Sequence, residues 1–562
     1  FYQGEEIYGP LGVCVAPYPD GKGQKVFVCQ SPDILVFEDK DGDLKADGPP
    51  KKFLSGFRGF DHDHGVHGIN IGPDGKLYFT VGDSGVDGLQ SSDGKGRKWK
   101  SNDTDCRAGT VWRCDMDGTN LELIAHNFRN NYEACVDSFG EIWLSDNDDD
   151  GNQQTRICFV MPGGNYGYHP RGPGQTHWHE EQPGIVHKTL RTGFGSPTGI
   201  TFYEGSLFPK KYTGALLHCD AGPREVRWFF RKPKGAGYEL DKEVLLTSSD
   251  NWFRPSDVCV APDGSIFVAD WYDRGVGGHG MGDPTDGRIY RITPKGHKGY
   301  KVPEVKLDTL GNIFSTLSSP NQSAREMARM KLQTRVWTQS DLAEEYLKYL
   351  SEGLSGARVS WAILPDWHRM ESLSAEKDKL SLAKSKGEDA WSWIALVLQI
   401  RGGFGNFPDD YVGQMLQAQY GRIDYTGVER GIVDETEGPR RRRGGKPPFG
   451  GGEEAYISEY PPAYRRELIL GLRNREPKDI KLAFFKLARA YDGQDIFYRA
   501  ALNIACGTDP ARRDAILADF DTHFPEWNDK VADLVWELRP KSVLPRLGKL
   551  LSDPKLTGPQ KA

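Results

Sequence analysis

The stretch DVCVAPDGSIFVADW (residues 257–271) decides the fold: an alternating apolar segment, a tight Asp-Gly turn and a second alternating segment. This pattern predicts a β-hairpin. Four other stretches repeat it: GVCVAPYPDGKGQKVFVCQ (12–30), GINIGPDGKLYFTVGD (68–83), EACVDSFGEIWLSDN (133–147) and GITFYEGSLFPKKYTGALLHCD (199–220). The copies begin 56 to 66 residues apart, and most are soon followed by a third strand-like segment. A multi-stranded unit at this period predicts a β-propeller of five or six blades.

The pattern changes after Pro303, where apolar residues take helical spacing, as at 342–350, 480–491, 531–538 and 543–551. We therefore predict a propeller over 1–298 and an α-helical domain with HEAT-like repeats over 299–562. A sixth blade is expected, if anywhere, within the insertion at 165–195. The Arg-, Gly- and Pro-rich insert at 437–453 is predicted to be a disordered loop. The last residues resemble the opening of another helix, which leaves open whether the chain is a fragment.

Composition excludes some functional classes. The 562 residues carry a net charge of −7, which disfavours general nucleic-acid binding. No apolar run is long enough for a membrane span. The nine cysteines are expected mostly as small buried hydrophobic residues, with one or two disulfides left open.

Aligning the repeats predicts which residues line the mouth of the central channel. Just before the repeats stand His64, His67, Arg129, Asn130 and Arg254, and Asp83, Asp146, Asp220 and Asp270 end the second strands. The aspartates alone are explained by turn capping. The histidines and arginines are not, because they occur in single blades. Such a charged, concave mouth is the default site for a small polar ligand.

Two acidic loops are candidate Ca²⁺ sites. The loop DKDGDLKAD supplies Asp39, Asp41, Asp43 and Asp47, although it lacks the final Glu of an EF-hand. The loop DNDDDGN supplies Asp146, Asp148, Asp149, Asp150 and Asn152 beside the mouth. Ordinary solvated turns are the alternative. A mouth metal held by His64, His67 and an aspartate is a further option.

Several segments resemble the glucose/sorbosone dehydrogenase propeller superfamily. They are HGVHGINIGPDGKLYFTVGD (64–83), HNFRNNYEACVDSFGEIWLSDNDDDG (126–151), MPGGNYGYHP (161–170) and NWFRPSDVCVAPDGSIFVADWYD (251–273). More closely, the chain resembles the planctomycete and verrucomicrobial "membrane-bound dehydrogenase" type, in which HEAT-like repeats follow the propeller.

The resemblance implies a secreted or periplasmic, Ca²⁺- and pyrroloquinoline quinone (PQQ)-dependent sugar or polyol dehydrogenase. His64 takes the place of the family's general base, with His67 and Arg129 as further catalytic candidates. Arg129, Asn130 and Arg254 match quinone-binding positions. The family's lysine falls near Ala221–Gly222, where no lysine stands, and one of its arginines falls at Ser256. A cytochrome is the implied electron acceptor.

Two other functions stay open from the residues alone. One is a quinone-free lyase or hydrolase that acts on a sugar with mouth His and Asp residues. The other is a non-catalytic propeller that binds a sugar or a protein. Loss of turnover without loss of binding in a His64→Ala variant would separate an enzyme from a binder.

Overall fold

Each repeat forms the predicted hairpin, and five antiparallel sheets make the blades of a β-propeller. The computed structural model describes residues 1–18, 22–59, 64–137, 140–147, 154–169, 178–179, 182–275, 285–300, 303–317, 319–334, 462–554 and 557–558. The described residues up to 334 form one compact unit, except 182–187 and 235–237, which belong with 462–558 to a second unit.

The strands are numbered β1 to β24 in chain order, and the first strand of each blade is the innermost. Blade 1 contains β1 (Gly12–Pro17), β2 (Gln24–Gln30), β3 (Asp33–Asp39) and β4 (Lys51–Ser55). Blade 2 contains β5 (Val66–Ile71), β6 (Leu77–Val81), β9 (Gly109–Cys114) and β10 (Glu122–Phe128). Blade 3 contains β11 (Ala134–Val136), β12 (Ile142–Asp146), β13 (Thr155–Val160) and β17 (Leu190–Gly193). Blade 4 contains β18 (Pro197–Phe202), β19 (Leu216–Asp220), β20 (Glu225–Lys234) and β21 (Gly237–Thr247), and blade 5 contains β22 (Pro255–Val260), β23 (Ile266–Asp270) and β24 (Arg288–Ile292).

Asp-Gly turns set the register of the hairpins in blades 2 and 5. In blade 5, Gly264 has φ +84° and its N–H donates to the Ala261 carbonyl at 2.8 Å. The turn pairs Val258 with Val268, and both side chains are buried in the core between blades 4 and 5. The alternation read in the sequence therefore marks the faces that pack between blades.

The insertion at 165–195, most of which lies within blade 3 between β13 and β17, does not build a sixth blade among the described residues. Its strand β14 (Gly164–Asn165) joins the edge of blade 2, and β17 completes blade 3. The strands β15 (Tyr168–His169) and β16 (Trp178–His179) form a small hairpin of their own. A similar short pair, β7 (Asp87–Leu89) and β8 (Trp99–Lys100), lies in the insertion of blade 2.

The two end blades leave one face open in the described part of the chain. Consecutive blades pack through their inner strands, from β1 on β5 to β18 on β22. On the other side of blade 1, Val13 and Val15 are 61% and 50% exposed, and Ile289 of blade 5 is 75% exposed. The N-terminal residues cover the outer part of that blade 1 face, where Tyr2 packs on Phe37. They do not add a strand to blade 5.

The described residues of the propeller unit also contain two helices, α1 (Leu310–Leu317) and α2 (Gln322–Thr334). The main-chain N–H of Gln322 donates to the Glu204 carbonyl at 3.2 Å, and Arg325 forms a buried ion pair with Glu204. Near the other end of α2, Arg329 donates to the Gly72 carbonyl. Since Glu204 and Gly72 begin the hairpin turns of blades 4 and 2, α2 crosses the face of the ring opposite the mouth.

The second unit contains seven α-helices in its described part. They are α3 (Pro462–Gly471), α4 (Pro477–Arg489), α5 (Ile496–Cys506), α6 (Pro510–Leu517), α7 (Phe520–His523), α8 (Asp529–Leu538) and α9 (Leu544–Leu551). Aspartate and asparagine side chains cap several of them; Asp495, for example, accepts from the N–H groups of Phe497 and Tyr498. The helical segments predicted at 480–491, 531–538 and 543–551 are confirmed. The HEAT arrangement stays a prediction, and the segment at 342–350 and the insert at 437–453 lie outside the described residues.

Two smaller predictions can also be compared with the structure. No helix in the described part is both long and apolar enough to cross a bilayer. All nine cysteines are described, none is in a disulfide, and seven of them are buried. They therefore act mainly as core residues, as expected.

Candidate functional site

The residue that ends the second strand of each blade links two loops at the mouth. In four blades its side chain accepts hydrogen bonds from main-chain N–H groups of the loop that enters the inner strand. The pairs are Gln30 with Tyr8 and Gly9, Asp146 with Arg129 and Asn130, Asp220 with Ser196, and Asp270 with Arg254. The predicted capping role is what the structure shows at these positions.

Asp83 in blade 2 is different, because its hydrogen-bond partners are side chains. One carboxylate oxygen hydrogen-bonds Nδ1 of His64, and the other accepts from the Tyr168 hydroxyl at 2.8 Å. The side chains of His64 and Asp83 are 25% and 18% exposed, so this network lies at the mouth and not in the core. With Nδ1–H donated to Asp83, the imidazole carries its lone pair on Nε2, as a general base requires.

The groups around Asp83 determine the protonation states of this network. Burial opposes ionisation of Asp83, but the hydrogen bonds from His64 and Tyr168 and the charge of Arg129 hold its pKa below the ordinary value. Burial and the neighbouring Asp83 raise the pKa of Tyr168, so its phenol stays protonated and remains a donor. Asp83 is therefore an anion that can orient His64 and stabilise an imidazolium.

The insertion hairpin β15–β16 supplies two site residues that sequence alignment of the repeats missed. Tyr168 reaches Asp83 from β15, and His179 Nε2 on β16 lies 2.9 Å from Asp146 Oδ2. The centroids of the Tyr168 and His179 rings are 5.4 Å apart. Burial disfavours the Asp146 anion, but His179 and Arg156 outweigh it and lower the pKa of Asp146. The only sequence signal for Tyr168 was its place in MPGGNYGYHP, which assigned it no role.

Of the other residues predicted at the mouth, Arg129 and Asn130 lie beside this network. The main chain of both is fixed by Asp146, and the charge of Arg129 acts on Asp83 and Tyr168. Asn130 is buried, with Oδ1 close to the backbone of Gly82; a Cβ there would stand 2.7 Å from that oxygen. His64, Asp83, Arg129 and Asn130 are therefore brought together.

His67 does not share this location. It is fully buried, and its ring stacks on Tyr132 with the ring centroids 4.8 Å apart. This placement corrects the expectation that His67 faces the mouth beside His64, and it leaves the mouth metal bound by both histidines without support. The reason is local: residues 64 and 67 lie on either side of the start of β5, and only the first precedes the strand.

Arg254 lies in the loop that enters blade 5 and is only 7% exposed. Its guanidinium donates to the main-chain carbonyls of Gly275, Phe253 and Arg274 at 2.7 to 3.2 Å. Among the described residues, no carboxylate lies within ion-pair distance of it. Asp273 and Asp270 act on its charge without forming an ion pair, so Arg254 keeps a positive charge beside the mouth that is compatible with a carboxylated group such as PQQ.

The first acidic loop has the geometry of a cation site. Carboxylate oxygens of Asp39, Asp41 and Asp43 lie within 4.8 Å of one another, and this is the one such cluster in the described part of the chain. Asp39 is fully buried and accepts from the N–H of Gly42 at 2.7 Å. Asp47 instead accepts from the Lys40 N–H. The Ca²⁺ assignment of this loop stays a prediction.

The second acidic loop is described only at its first residues. Asp146, expected as a Ca²⁺ ligand, is 1% exposed and accepts from main-chain N–H groups and His179. A cation would have to displace those donors, so the structure does not support Asp146 as a ligand. Asp148, Asp149, Asp150 and Asn152 lie outside the described residues.

Comparison with known proteins gives one family match. Residues 14–296 match the family model "Domain of unknown function (DUF7133)", which is half of the chain. No curated protein matches the sequence.

Several solved structures are similar in fold. The PQQ-bound aldose sugar dehydrogenase of Streptomyces coelicolor is 20% identical, with 52% of this chain and 81% of that chain covered and a TM-score of 0.37. A glucose dehydrogenase-type oxidoreductase of Thermus thermophilus is 18% identical (51% and 98% covered, TM-score 0.32). The PQQ domain of pyranose dehydrogenase from Coprinopsis cinerea is 13% identical (45% and 78% covered, TM-score 0.32). The propeller fold that the resemblance implies is confirmed by the five sheets of the chain itself.

Proposed function

The chain belongs to the DUF7133 family, whose function is unknown, and we propose its function from the mouth itself: oxidation of a sugar or polyol hydroxyl with His64 as the general base. The observation that carries the proposal is the His64–Asp83–Tyr168 network. In the four other blades the equivalent residue caps the entering loop through main-chain N–H groups, and Asp146 does so while also contacting His179. Among the described residues Asp83 bonds side chains alone, so capping does not explain its contact with His64.

In this proposal the substrate hydroxyl gives its proton to Nε2 of His64. The Asp83 carboxylate stabilises the imidazolium that forms, and Tyr168 holds the second carboxylate oxygen so that Asp83 keeps its orientation. The Arg129 guanidinium favours negative charge near the reacting oxygen. A positioned base of this kind contributes about 10²- to 10⁴-fold to the rate.

The group implied for the second half of the reaction is PQQ, which when bound supplies the two-electron acceptor that oxidation of a hydroxyl requires. Arg129, Asn130 and Arg254 would hold it, and the buried guanidinium of Arg254, which forms no ion pair with any described residue, supports this assignment. The proposal includes Ca²⁺ at the Asp39–Asp43 loop, a periplasmic or secreted location, and a cytochrome as the next electron acceptor.

A quinone-free lyase or hydrolase is the second candidate. It is favoured by one observation: His64 oriented by Asp83 supplies a general base from protein groups alone. It would use the same proton transfer without a change of oxidation state.

The test is a titration of metal-stripped protein with PQQ in the presence of Ca²⁺, following bound quinone absorbance after ultrafiltration, together with sugar-dependent reduction of a dye. We expect stoichiometric binding. A His64→Ala variant should keep the quinone and lose about 10²- to 10⁴-fold in turnover, whereas His297→Ala, which alters an exposed histidine, should match the wild type. Absence of binding at tens of micromolar would refute the dehydrogenase; sugar elimination or hydrolysis that depends on His64 would then support the second candidate, and binding alone a non-catalytic protein.

A further inference from the structure

Arg224 lies on the mouth side of blade 4, in the turn between β19 and β20. Its backbone is left-handed, with φ +62°, which non-glycine residues seldom adopt. Its Nη1 donates to the Asn251 side chain at 2.8 Å. Its Nε is buried, and no partner for that atom exists among the described residues. No pattern in the repeats selects this residue.

Arg224 and Arg254 lie close together. Asn251, which binds Arg224, precedes Arg254 by three residues in the loop that enters blade 5. Burial and the nearby charge of Arg224 lower the pKa of Arg254, and Asp273 and Asp270 oppose this without outweighing it. Two positively charged side chains are therefore neighbours at the mouth.

Neither aspartate neutralises this pair through an ion pair. Asp270 accepts main-chain N–H groups of Arg254 and Tyr272, and Asp273 accepts the N–H of Gly275. In the described part of the molecule, no carboxylate lies within 4.0 Å of a guanidinium nitrogen of Arg224 or Arg254. Like-charged side chains held together without a counter-ion are a common arrangement for binding an anion.

The other two arginines of this region have different contacts. Arg274 stacks over the Trp252 ring, 4.5 Å from its centroid. Arg288 lies over Tyr272 at 3.8 Å and within 3.7 Å of the Asp250 carboxylate. They supply a comparison: the same charge at the same edge of the mouth, but with an aromatic or acidic partner.

We propose that Arg224 and Arg254 form a carboxylate-binding site on the blade 4–5 side of the mouth, and that the ligand of this protein carries a carboxylate. This proposal adds a ligand class to the proposed function, and it rests on that function for the reaction that the ligand would undergo. Arg224 supplies a cation in the blade 4 turn, where the lysine expected from the resemblance is missing. The carboxylate has two conceivable sources, a bound quinone cofactor or an acidic sugar substrate such as a uronate.

The experiment measures binding, independently of turnover, by calorimetric titration of the full chain with PQQ, with glucuronate and with glucose. Arg224→Gln shortens the side chain only modestly and removes its charge. Charged hydrogen bonds contribute about 1.5–3 kcal/mol, so we expect Arg224→Gln to weaken binding of the carboxylated ligand about 10- to 100-fold. Arg224→Lys should restore most of the affinity. Arg274→Gln, the matched control, should bind within about threefold of the wild type, since its guanidinium stacks on Trp252.

The three ligands separate the outcomes. If PQQ binds and Arg224→Gln weakens its affinity, the carboxylate belongs to the cofactor. If PQQ does not bind, but glucuronate binds and Arg224→Gln weakens its affinity, the proposed quinone chemistry fails while the carboxylate site stands. If Arg224→Gln and Arg274→Gln weaken binding equally, or if neither carboxylated ligand binds more tightly than glucose, the site is refuted. Circular dichroism and the thermal midpoint of each variant exclude a folding defect.

Discussion

Blade 2 and blade 3 carry an aspartate at the same repeat position, and the two residues have different roles. Asp146 in blade 3 is buried and fastens the entering loop through main-chain N–H groups. Asp83 in blade 2 is partly exposed and holds the side chains of His64 and Tyr168. In blade 2, the Gly82 N–H instead reaches back to the Gly65 carbonyl. In blade 2 a main-chain hydrogen bond therefore fixes the entering loop, and the Asp83 side chain is left to bond other side chains.

The largest expected effect tests this contrast through stability. Asp146→Ala would remove a buried carboxylate that lies 3.6 Å from Nε of the buried Arg156. Breaking a buried ion pair costs about 3–5 kcal/mol. Asp83→Ala removes a more exposed network and should cost about 1–2 kcal/mol. Urea denaturation of both variants checks the difference, and equal losses would show that the two aspartates share one role.

Tyr168→Phe sharpens the comparison on the chemical side. Loss of a hydrogen bond to the charged Asp83 should lower turnover about 10- to 100-fold. Because the freed carboxylate then interacts more strongly with the imidazolium, the acidic limb of the pH–rate profile should move to higher pH. Tyr166→Phe is the matched control: its hydroxyl donates to the Phe159 carbonyl in the core, so stability should fall and the profile should not move. An unmoved profile in Tyr168→Phe would mean that Tyr168 has only a structural role.

A smaller effect on stability is expected from two carboxylic acids on the inner side of the blades, Glu133 and Asp257. Burial and the neighbouring Asp257 raise the pKa of Glu133, and burial raises that of Asp257. Gly199 leaves room for the pair, since a Cβ there would stand 2.4 Å from Asp257 Oδ1. An acid whose pKa is raised on folding stabilises the protein below its ordinary pKa, and this stabilisation is lost as pH rises through the folded value.

The wild type should therefore lose thermal stability as pH rises above the ordinary value of 4.5 for Glu133. Glu133→Gln keeps a neutral side chain there and should flatten this dependence, with a higher midpoint than the wild type at a pH of about 8 and little difference at about 4. Thermal scans across this range provide the measurement. Parallel curves for the two proteins would contradict a raised pKa of Glu133 as the cause of the pH dependence.

The smallest expected effect concerns the Asp39–Asp43 loop. If it binds Ca²⁺ with an affinity near millimolar, several millimolar Ca²⁺ should stabilise the propeller unit by about 1 kcal/mol. Asp41→Asn should abolish that gain, while Asp93→Asn, a change in another exposed turn, should keep it. The measurement is the thermal midpoint of each variant with Ca²⁺ and with a chelator. If Ca²⁺ shifts the midpoints of both variants equally, the loop is an ordinary turn and not a Ca²⁺ site.

Repeat alignment predicted the blades and the polar rim because both follow from period-two alternation and from the spacing between repeats. It placed His64 and Asp83 at corresponding ends of one blade, where they do meet. It could not find Tyr168 or His179, because they come from an insertion whose folding back depends on tertiary contacts. Nor could it find Arg224, whose position depends on one left-handed backbone conformation, or separate His64 from the buried His67 three residues later.

The helix α2 has a consequence for dividing the chain. It holds the hairpin turns of blades 2 and 4, and Asn321, just before its first residue, donates to the Pro262 carbonyl in the turn of blade 5, so this segment links three of the five blades. A shortened chain that stops at residue 298, where the strand pattern ends, would keep all five blades and lose this helix. We therefore expect a stable propeller fragment to extend at least to Thr334, and cleavage between residues 298 and 320 should lower the thermal stability of the whole propeller.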